Sequence, residues 1–97
     1  MATFIVLLNW TEQGIHSYKD SPSRVDQANK ACEDLGVKFK DVYWTIGPYD
    51  LVGIVESPDP ESFAAALLRL GAAGNVRTTS MRAFSRTETE ALIARAG

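Results

Sequence analysis

Tyr49 and Asp50, just ahead of a predicted strand, place a phenol beside a carboxylate. At the mouth of a pocket such a pair can act as hydrogen-bond donor and general base. The run 47–50 (Gly-Pro-Tyr-Asp) is also typical of a turn, in which glycine supplies backbone freedom, proline fixes φ and Asp50 accepts hydrogen bonds from turn amides. The residues alone leave both interpretations open.

His16 is the single histidine of the chain and lies close to Tyr18, after the first predicted strand. Histidine is the side chain that titrates near neutral pH, so a general acid/base or a haem ligand is one interpretation. A solvent-exposed or capping histidine in a polar connection is the other. No second histidine, cysteine pair or paired carboxylate stands at ligand spacing, and no metal site is predicted.

Three large aromatic side chains, Trp10, Tyr43 and Trp44, stand at strand ends or on a predicted edge strand. They suit the wall of an apolar pocket that carries a few polar groups. Aromatic residues also dominate cores and interfaces, which is the alternative interpretation. The lone Cys32 lies on an apolar helix stripe and is predicted to be an inert core thiol.

Arg77 and Arg82 are five residues apart on a predicted strand and therefore point to opposite faces. One of them can reach an anionic ligand, whereas protection of an exposed edge explains both equally well. The speculative ligand-binding set is therefore Trp10, His16, Tyr18, Trp44, Tyr49, Asp50, Arg77 and Arg82, with no catalytic residue assigned. No cofactor is identified, because the glycine-rich run 71–74 follows a helix rather than a strand.

These side chains belong to a chain of one-domain length, with 97 residues and a net charge of −2. Its ten basic residues are scattered and form no footprint for a phosphate backbone, so no nucleic-acid partner is predicted. The apolar N-terminal run is far too short to span a bilayer and lacks the marks of a secretory leader. We expect a cytoplasmic protein without a membrane partner.

The elements that must position the candidates follow from the apolar periodicity and the capping residues. Helices are predicted from the Ser21 cap and Pro22 to Gly36, from the Asp59 cap and Pro60 to Gly71, and after Ser85, which opens a capping-box spacing with Glu88. Strands are predicted over 3–10, 37–46, 51–55 and 75–84, with a bulge at Lys40-Asp41.

The order predicts an α+β fold of the ferredoxin-like βαββαβ type over residues 1–97, with a four-stranded antiparallel sheet and a short C-terminal helix. The first and third strands are apolar on both faces and are predicted to be central, with the other two at the edges. Two helices can cover only one face of this sheet. An apolar patch of that size favours back-to-back pairing with a second copy, the alternative being a cover formed by the C-terminal helix.

The stretch 45–52 (Thr-Ile-Gly-Pro-Tyr-Asp-Leu-Val) resembles the Gly-x-Tyr-Asp signature of the GYD-domain family. The segments 10–15, 19–24, 74–78 and 82–84 resemble that family as well, so the likeness runs almost end to end. The resemblance implies a dimeric α/β barrel, in which two ferredoxin-like domains pack sheet to sheet. It implies no particular activity, because one fold supports many functions.

Two functions remain open at this point. One is binding of a small molecule in a pocket between sheet and helices or at a dimer interface. The other is a non-catalytic oligomeric module for interaction or regulation. The sequence does not decide whether the chain is an enzyme.

Overall fold

The computed structural model describes residues 1–97 and contains four strands and four α-helices. The strands are β1 (Ala2–Trp10), β2 (Lys38–Trp44), β3 (Leu51–Ser57) and β4 (Val76–Ala83). The helices are α1 (Glu12–His16), α2 (Ser21–Ala31), α3 (Pro60–Ala73) and α4 (Arg86–Ala96), with short 3-10 turns at Tyr18–Asp20 and Glu33–Leu35. None of these helices is long and apolar enough to cross a bilayer.

The four strands form one antiparallel sheet in the order β2-β3-β1-β4, so β1 and β3 are central as predicted. Val6 pairs with Gly53 and with Ser80, which fixes the register of three strands in one row. The register of β2 against β3 shifts between Phe39 and Asp41, which confirms the predicted bulge. The α+β, ferredoxin-like fold class is therefore confirmed.

The second long helix begins as predicted but ends later. The Asp59 carboxylate accepts a hydrogen bond from the Ser62 N–H at 2.7 Å, and Pro60 occupies the first turn. Gly71 was predicted to close the helix, and this was wrong. The chain continues to Ala73, and Gly74 adopts the left-handed conformation (φ 81°) that ends the helix.

The first long helix also differs from the prediction at both ends. The Ser21 side chain does not cap it; the Ser21 Oγ instead accepts the indole N–H of Trp44 at 3.0 Å. Regular α-structure ends at Ala31, and a 3-10 turn bridges the gap to Gly36, which has φ 71° and closes the segment as predicted.

The core lies between the sheet and helices α2 and α3. Phe4 of β1 stacks on Phe63 of α3 with ring centroids 3.9 Å apart and planes within 7°. Offset or stacked aromatic pairs of this kind add to the free energy gained from burial. The remaining members of the core cluster are Val6, Cys32, Val37, Val55 and Ala66.

The sheet surface opposite the helices, called here the outer face, has no cover within the chain. Burial along β3 alternates strictly, with Leu51, Gly53, Val55 and Ser57 buried and the residues between them only half-buried. Helix α4 buries none of its residues and so does not cover this face. The apolar side chains of the outer face are Ile5, Leu7, Tyr43, Val52, Ile54 and Met81.

Candidate functional site

A cavity of about 310 Å³, called here the inner cavity, lies between the sheet and helices α2 and α3. Its floor is the inner face of β1 and β3, and small residues on both helices, Ala28, Ala31 and Ala73, leave the space open. The cavity opens to the surface where its lining residues Gln27, Ala31 and Ala73 are exposed. The lining comprises Val6, Leu8, Trp10, Ser21, Arg24, Val25, Gln27, Ala28, Ala31, Cys32, Phe39, Val42, Leu51, Gly53, Val55, Arg69, Leu70, Ala73, Asn75 and Val76.

The two tryptophans near the inner cavity differ in the hydrogen bonding of their indole N–H groups. Trp10 lines the inner cavity, and its indole N–H is buried without an acceptor. Trp44 pairs with Leu51 on β3, and its indole N–H donates to Ser21, a buried residue of the same lining. Buried polar groups in native proteins nearly always have a hydrogen-bond partner, so the unpaired indole N–H of Trp10 is an unusual feature of this cavity.

Arg24 and Arg69 both line the cavity but differ in their partners. Arg69 forms a bidentate pair with Asp34, at 2.7 and 3.0 Å, and also donates to the Ala31 carbonyl. Arg24 donates only to uncharged oxygens, the Ser17 carbonyl and hydroxyl and the Gly14 carbonyl, at 2.8 to 3.2 Å. The charge of Arg69 is thus neutralised in place, whereas that of Arg24 is not.

Cys32 is 2% exposed and also lines the cavity. Burial raises the pKa of its thiol, an effect that the nearby Arg69 charge opposes. A raised pKa keeps the thiol protonated and weakly nucleophilic. This agrees with the prediction of an inert core cysteine.

Asp50 holds together the ends of β1 and β3 in this structure. Its carboxylate accepts the backbone N–H of Trp10, and its own N–H donates to the Leu8 carbonyl, both at 2.9 Å. The Tyr49 carbonyl accepts the Thr45 hydroxyl at 2.6 Å across the turn. The Tyr49 contact lies within the turn, as the turn interpretation predicted. The Asp50 carboxylate, however, binds an amide of β1 rather than the turn amides that were predicted, and it thereby fixes the position of Trp10 beside the cavity.

The other candidates from the sequence lie away from this group. His16 and Tyr18 are exposed, and His16 lies 3.9 Å from Glu12 on the same helix. Arg77 pairs with Asn9 on the outer face. Arg82 pairs with Phe4 near the opposite end of the sheet, where its guanidinium lies over the Phe84 ring at 4.3 Å. The structure therefore brings Trp10, Trp44 and Asp50 together and leaves the remainder dispersed.

Sequence reasoning did not single out Arg24 among the residues of α2 that face the cavity. Arg24, Ala28 and Ala31 stand at helical spacing on one side of that helix, which was a readable signal. Arg69 carried no comparable signal, because its role depends on the approach of Asp34 from another element. No group of three or more histidine, cysteine, aspartate or glutamate side chains is arranged to hold a metal ion.

The sequence model of the GYD-domain family matches residues 4–93, so the chain belongs to that family. A relative from Thermus thermophilus, named glutamine synthetase and cystathionine beta-lyase binding protein, is 38% identical over 85 residues. That match covers 87% of this chain and 90% of the relative.

Solved structures share the fold. A crystal structure of a protein from Thermus thermophilus matches with a TM-score of 0.54 and 29% identity, over 88% of this chain and 95% of that one. The leucine response regulatory protein of Mycobacterium tuberculosis matches with a TM-score of 0.58 and 20% identity, over 87% of this chain and 51% of that one. At that identity the second likeness speaks for the fold alone.

Proposed function

We propose that this member of the GYD-domain family is a homodimeric interaction module that binds another protein. The observation that carries the proposal is the uncovered outer face of the sheet. A second copy seals that face, and the paired molecule then presents its helices, edge strands and loops to a partner.

The outer face has the composition of an interface rather than of a solvated surface. Ile5 of β1 pairs laterally with Ile54 and Met81, and Leu7 pairs with Val52. These rows place apolar side chains across both central strands, and Tyr43 and Met81 remain 61% and 47% exposed at the margins. Contiguous apolar patches of this kind on a soluble protein mark association sites.

A second copy is the occupant that this face fits best. A two-fold axis places the same apolar rows against one another, so each copy supplies what the other needs. Two sheets then pack face to face about 10 Å apart, which is the ordinary spacing of stacked sheets. The four-layer product buries the apolar face of both copies at once.

Analytical ultracentrifugation of matched variants tests the pairing. Leu7→Asp places a charge at the centre of the outer face and is expected to raise the dimer dissociation constant at least about thirtyfold. Leu68→Asp makes the same chemical change on α3, where the side chain is 75% exposed and lies off the outer face. It is expected to leave the dimer intact. A wild-type chain that stays monomeric at micromolar concentration would exclude the proposal.

The choice of a protein as partner rests on the Thermus relative, whose name records binding to glutamine synthetase and cystathionine beta-lyase. The two chains align over nearly their whole length, so the surface that meets a partner in one has a counterpart in the other. We propose the same two enzymes as partners of this chain. For the test, both enzymes are prepared from the same organism as this chain.

Biolayer interferometry with each purified enzyme tests this assignment. We expect saturable binding in the micromolar range or tighter, as for regulatory contacts of ordinary size. Bovine serum albumin at the same concentration serves as the control surface. Absence of binding to both enzymes at about 100 μM would remove the proposed partners, while the dimer measurement would stand independently.

The inner cavity supports a second candidate function, the binding of a small molecule. At about 310 Å³ it reaches the lower end of the usual range for ligand pockets, about 300–1,000 Å³. The mass of the purified oligomer, measured under native conditions, tests for a retained ligand. An extra mass of a few hundred daltons per subunit would support this function, and its release on unfolding would confirm non-covalent binding.

A further inference from the structure

We infer that the inner cavity accepts a small monocarboxylate with an apolar body, whose oxygens bind the guanidinium of Arg24 and, after a small turn of the ring, the indole N–H of Trp10. The inference rests on the second candidate function, small-molecule binding in this cavity. Four features of the site, two of them from Arg24, favour this class of ligand.

The walls select for an apolar body. Fourteen of the 20 lining residues are hydrophobic, and the floor is built from Val6, Val55 and Leu51. Burial of an alkyl or aromatic group against such walls is favourable in proportion to the area removed from water. The volume suits a ligand of modest size rather than a dinucleotide or a peptide.

The indole of Trp10 lacks an acceptor. Its N–H is buried and has no partner in the protein, while the residue itself lines the cavity. A buried donor without an acceptor destabilises the fold. The nitrogen has almost no exposed surface, so a ligand oxygen reaches it when the ring turns slightly, and the new hydrogen bond then removes that penalty. An indole nitrogen can only donate, so a ligand ammonium group cannot bond to it.

The charge of the lining has one sign. Two arginines line the cavity and no aspartate or glutamate does. Arg69 is already neutralised by Asp34, but no carboxylate lies within 4 Å of Arg24. A cationic ligand is therefore repelled, and an anionic ligand is attracted.

The guanidinium of Arg24 also has donors to spare. It makes three hydrogen bonds to the protein, whereas arginine carries five N–H donors. The bonds to Ser17 and Gly14 hold the group in place without neutralising its charge. A pre-positioned guanidinium is well suited to a carboxylate, because charge-assisted hydrogen bonds are the stronger ones.

Three ligands with one tail and different heads provide the test: octanoate, 1-octanol and octylamine, titrated at pH 7 into the full chain. We expect octanoate to bind at least about tenfold more tightly than 1-octanol, the scale of one charge-assisted hydrogen bond. Octylamine is expected to bind most weakly. The indole 1H–15N resonance of Trp10 should move on octanoate binding, whereas that of Trp44, already bonded to Ser21, should move less.

Single-residue variants test which side chain causes the preference for octanoate. Arg24→Gln is expected to abolish the preference for octanoate over 1-octanol, and Arg24→Lys, which keeps the charge, to retain most of it. Arg95→Gln is the matched control, because it removes the same charge from α4, a helix that buries no residue and contributes nothing to the cavity lining. Ala28→Leu fills the cavity and is expected to weaken octanoate and 1-octanol alike.

The outcomes separate the carboxylate preference from small-molecule binding as such. Equal binding of octanoate and 1-octanol, or an unchanged preference in Arg24→Gln, would overturn the carboxylate inference while leaving a binding cavity. Absence of binding by all three ligands would overturn both the inference and the small-molecule function. The comparison of the three ligands on the wild-type chain needs no variant, so it holds even if Arg24→Gln fails to fold.

Discussion

The carboxylate of Asp50 accepts the backbone N–H of Trp10 at 2.9 Å, while the Asp50 N–H donates to the Leu8 carbonyl at the same distance. Two bonds from one residue thus fasten the entry of β3 to the end of β1. The cavity-lining Trp10 is held in position by a residue of the family signature.

Replacement of Asp50 should therefore reduce stability before it affects any chemistry. Asp50→Ala leaves the half-buried Trp10 amide without its acceptor, and we expect the free energy of unfolding to fall by about 1–3 kcal/mol. Asp50→Asn keeps an acceptor oxygen and should lose less. Urea denaturation measures both, and a fully stable Asp50→Ala with lost ligand binding would favour the chemical interpretation instead.

Gly14 and Gly71 should respond oppositely to alanine. A Cβ on Gly14 would overlap the Asn75 carbonyl oxygen, a backbone atom that also accepts the Thr11 N–H. We expect Gly14→Ala to cost about 1–3 kcal/mol or more through overpacking. Gly71 lies inside α3 with open space around it, so Gly71→Ala should stabilise by about 0.5–1 kcal/mol. Thermal melts of the two variants test these expectations. Melting temperatures that shift in the same direction would contradict the packing described around the two glycines.

Stability should fall in acid partly because of Asp59. Hydrogen bonds from the Ser62 backbone and side chain hold the pKa of this carboxyl below its ordinary value of 3.8. A group whose pKa is lower in the folded state stabilises the fold above the unfolded pKa, and that contribution is lost as the pH falls through the folded value. Asp59→Asn keeps the cap but has no charge to titrate, so its urea midpoint should change less between about pH 5 and pH 2 than that of wild type. An identical pH profile would rule out this contribution.

The capping box of α4 should act locally. The Ser85 Oγ accepts the Glu88 N–H at 3.1 Å, and the Glu88 carboxylate accepts the Ser85 N–H at 2.9 Å. Because α4 buries no residue, Ser85→Ala is expected to raise amide exchange in that helix about fivefold, the scale of a lost cap, without changing global unfolding. A large drop in the global melting temperature would show that α4 is coupled to the fold, through the second copy or otherwise.

Most of the fold could be read from local features of the chain. Apolar runs bounded by turn residues predicted β1 and β3, and the Asp59-Pro60 pair predicted the start of α3. The order of elements, with apolar residues on both faces of β1 and β3, predicted which strands are central. These features depend on neighbours in sequence, so their physical effect is the same in any context. The end of α3 was misjudged because both Gly71 and Gly74 can end a helix. The contacts of Gly74 with Thr11 and Gln13 join residues far apart in sequence, so the sequence does not reveal them.

The candidate site was only partly predictable. Trp10, Trp44 and Asp50 were identified by type and position near strand ends, and the structure groups them. Arg77 and Arg82 were assigned to opposite faces of one strand, but which face borders the helices depends on the register with Asn9 and Phe4. The chain's own helix α2 contributes Arg24, which no motif singled out.

The sequence by itself determined the family, the order of the elements, the central and edge strands, and the excess of apolar residues that leaves the outer face uncovered. Only the tertiary structure decided that α2 and α3 stand apart over small alanines to leave a cavity, that Arg69 is neutralised by Asp34 while Arg24 is not, and that the indole of Trp10 lacks an acceptor. The reason is physical: periodicity and capping act between residues close along the chain, whereas cavity space, charge neutralisation and hydrogen-bond pairing depend on residues that meet only once the chain has folded.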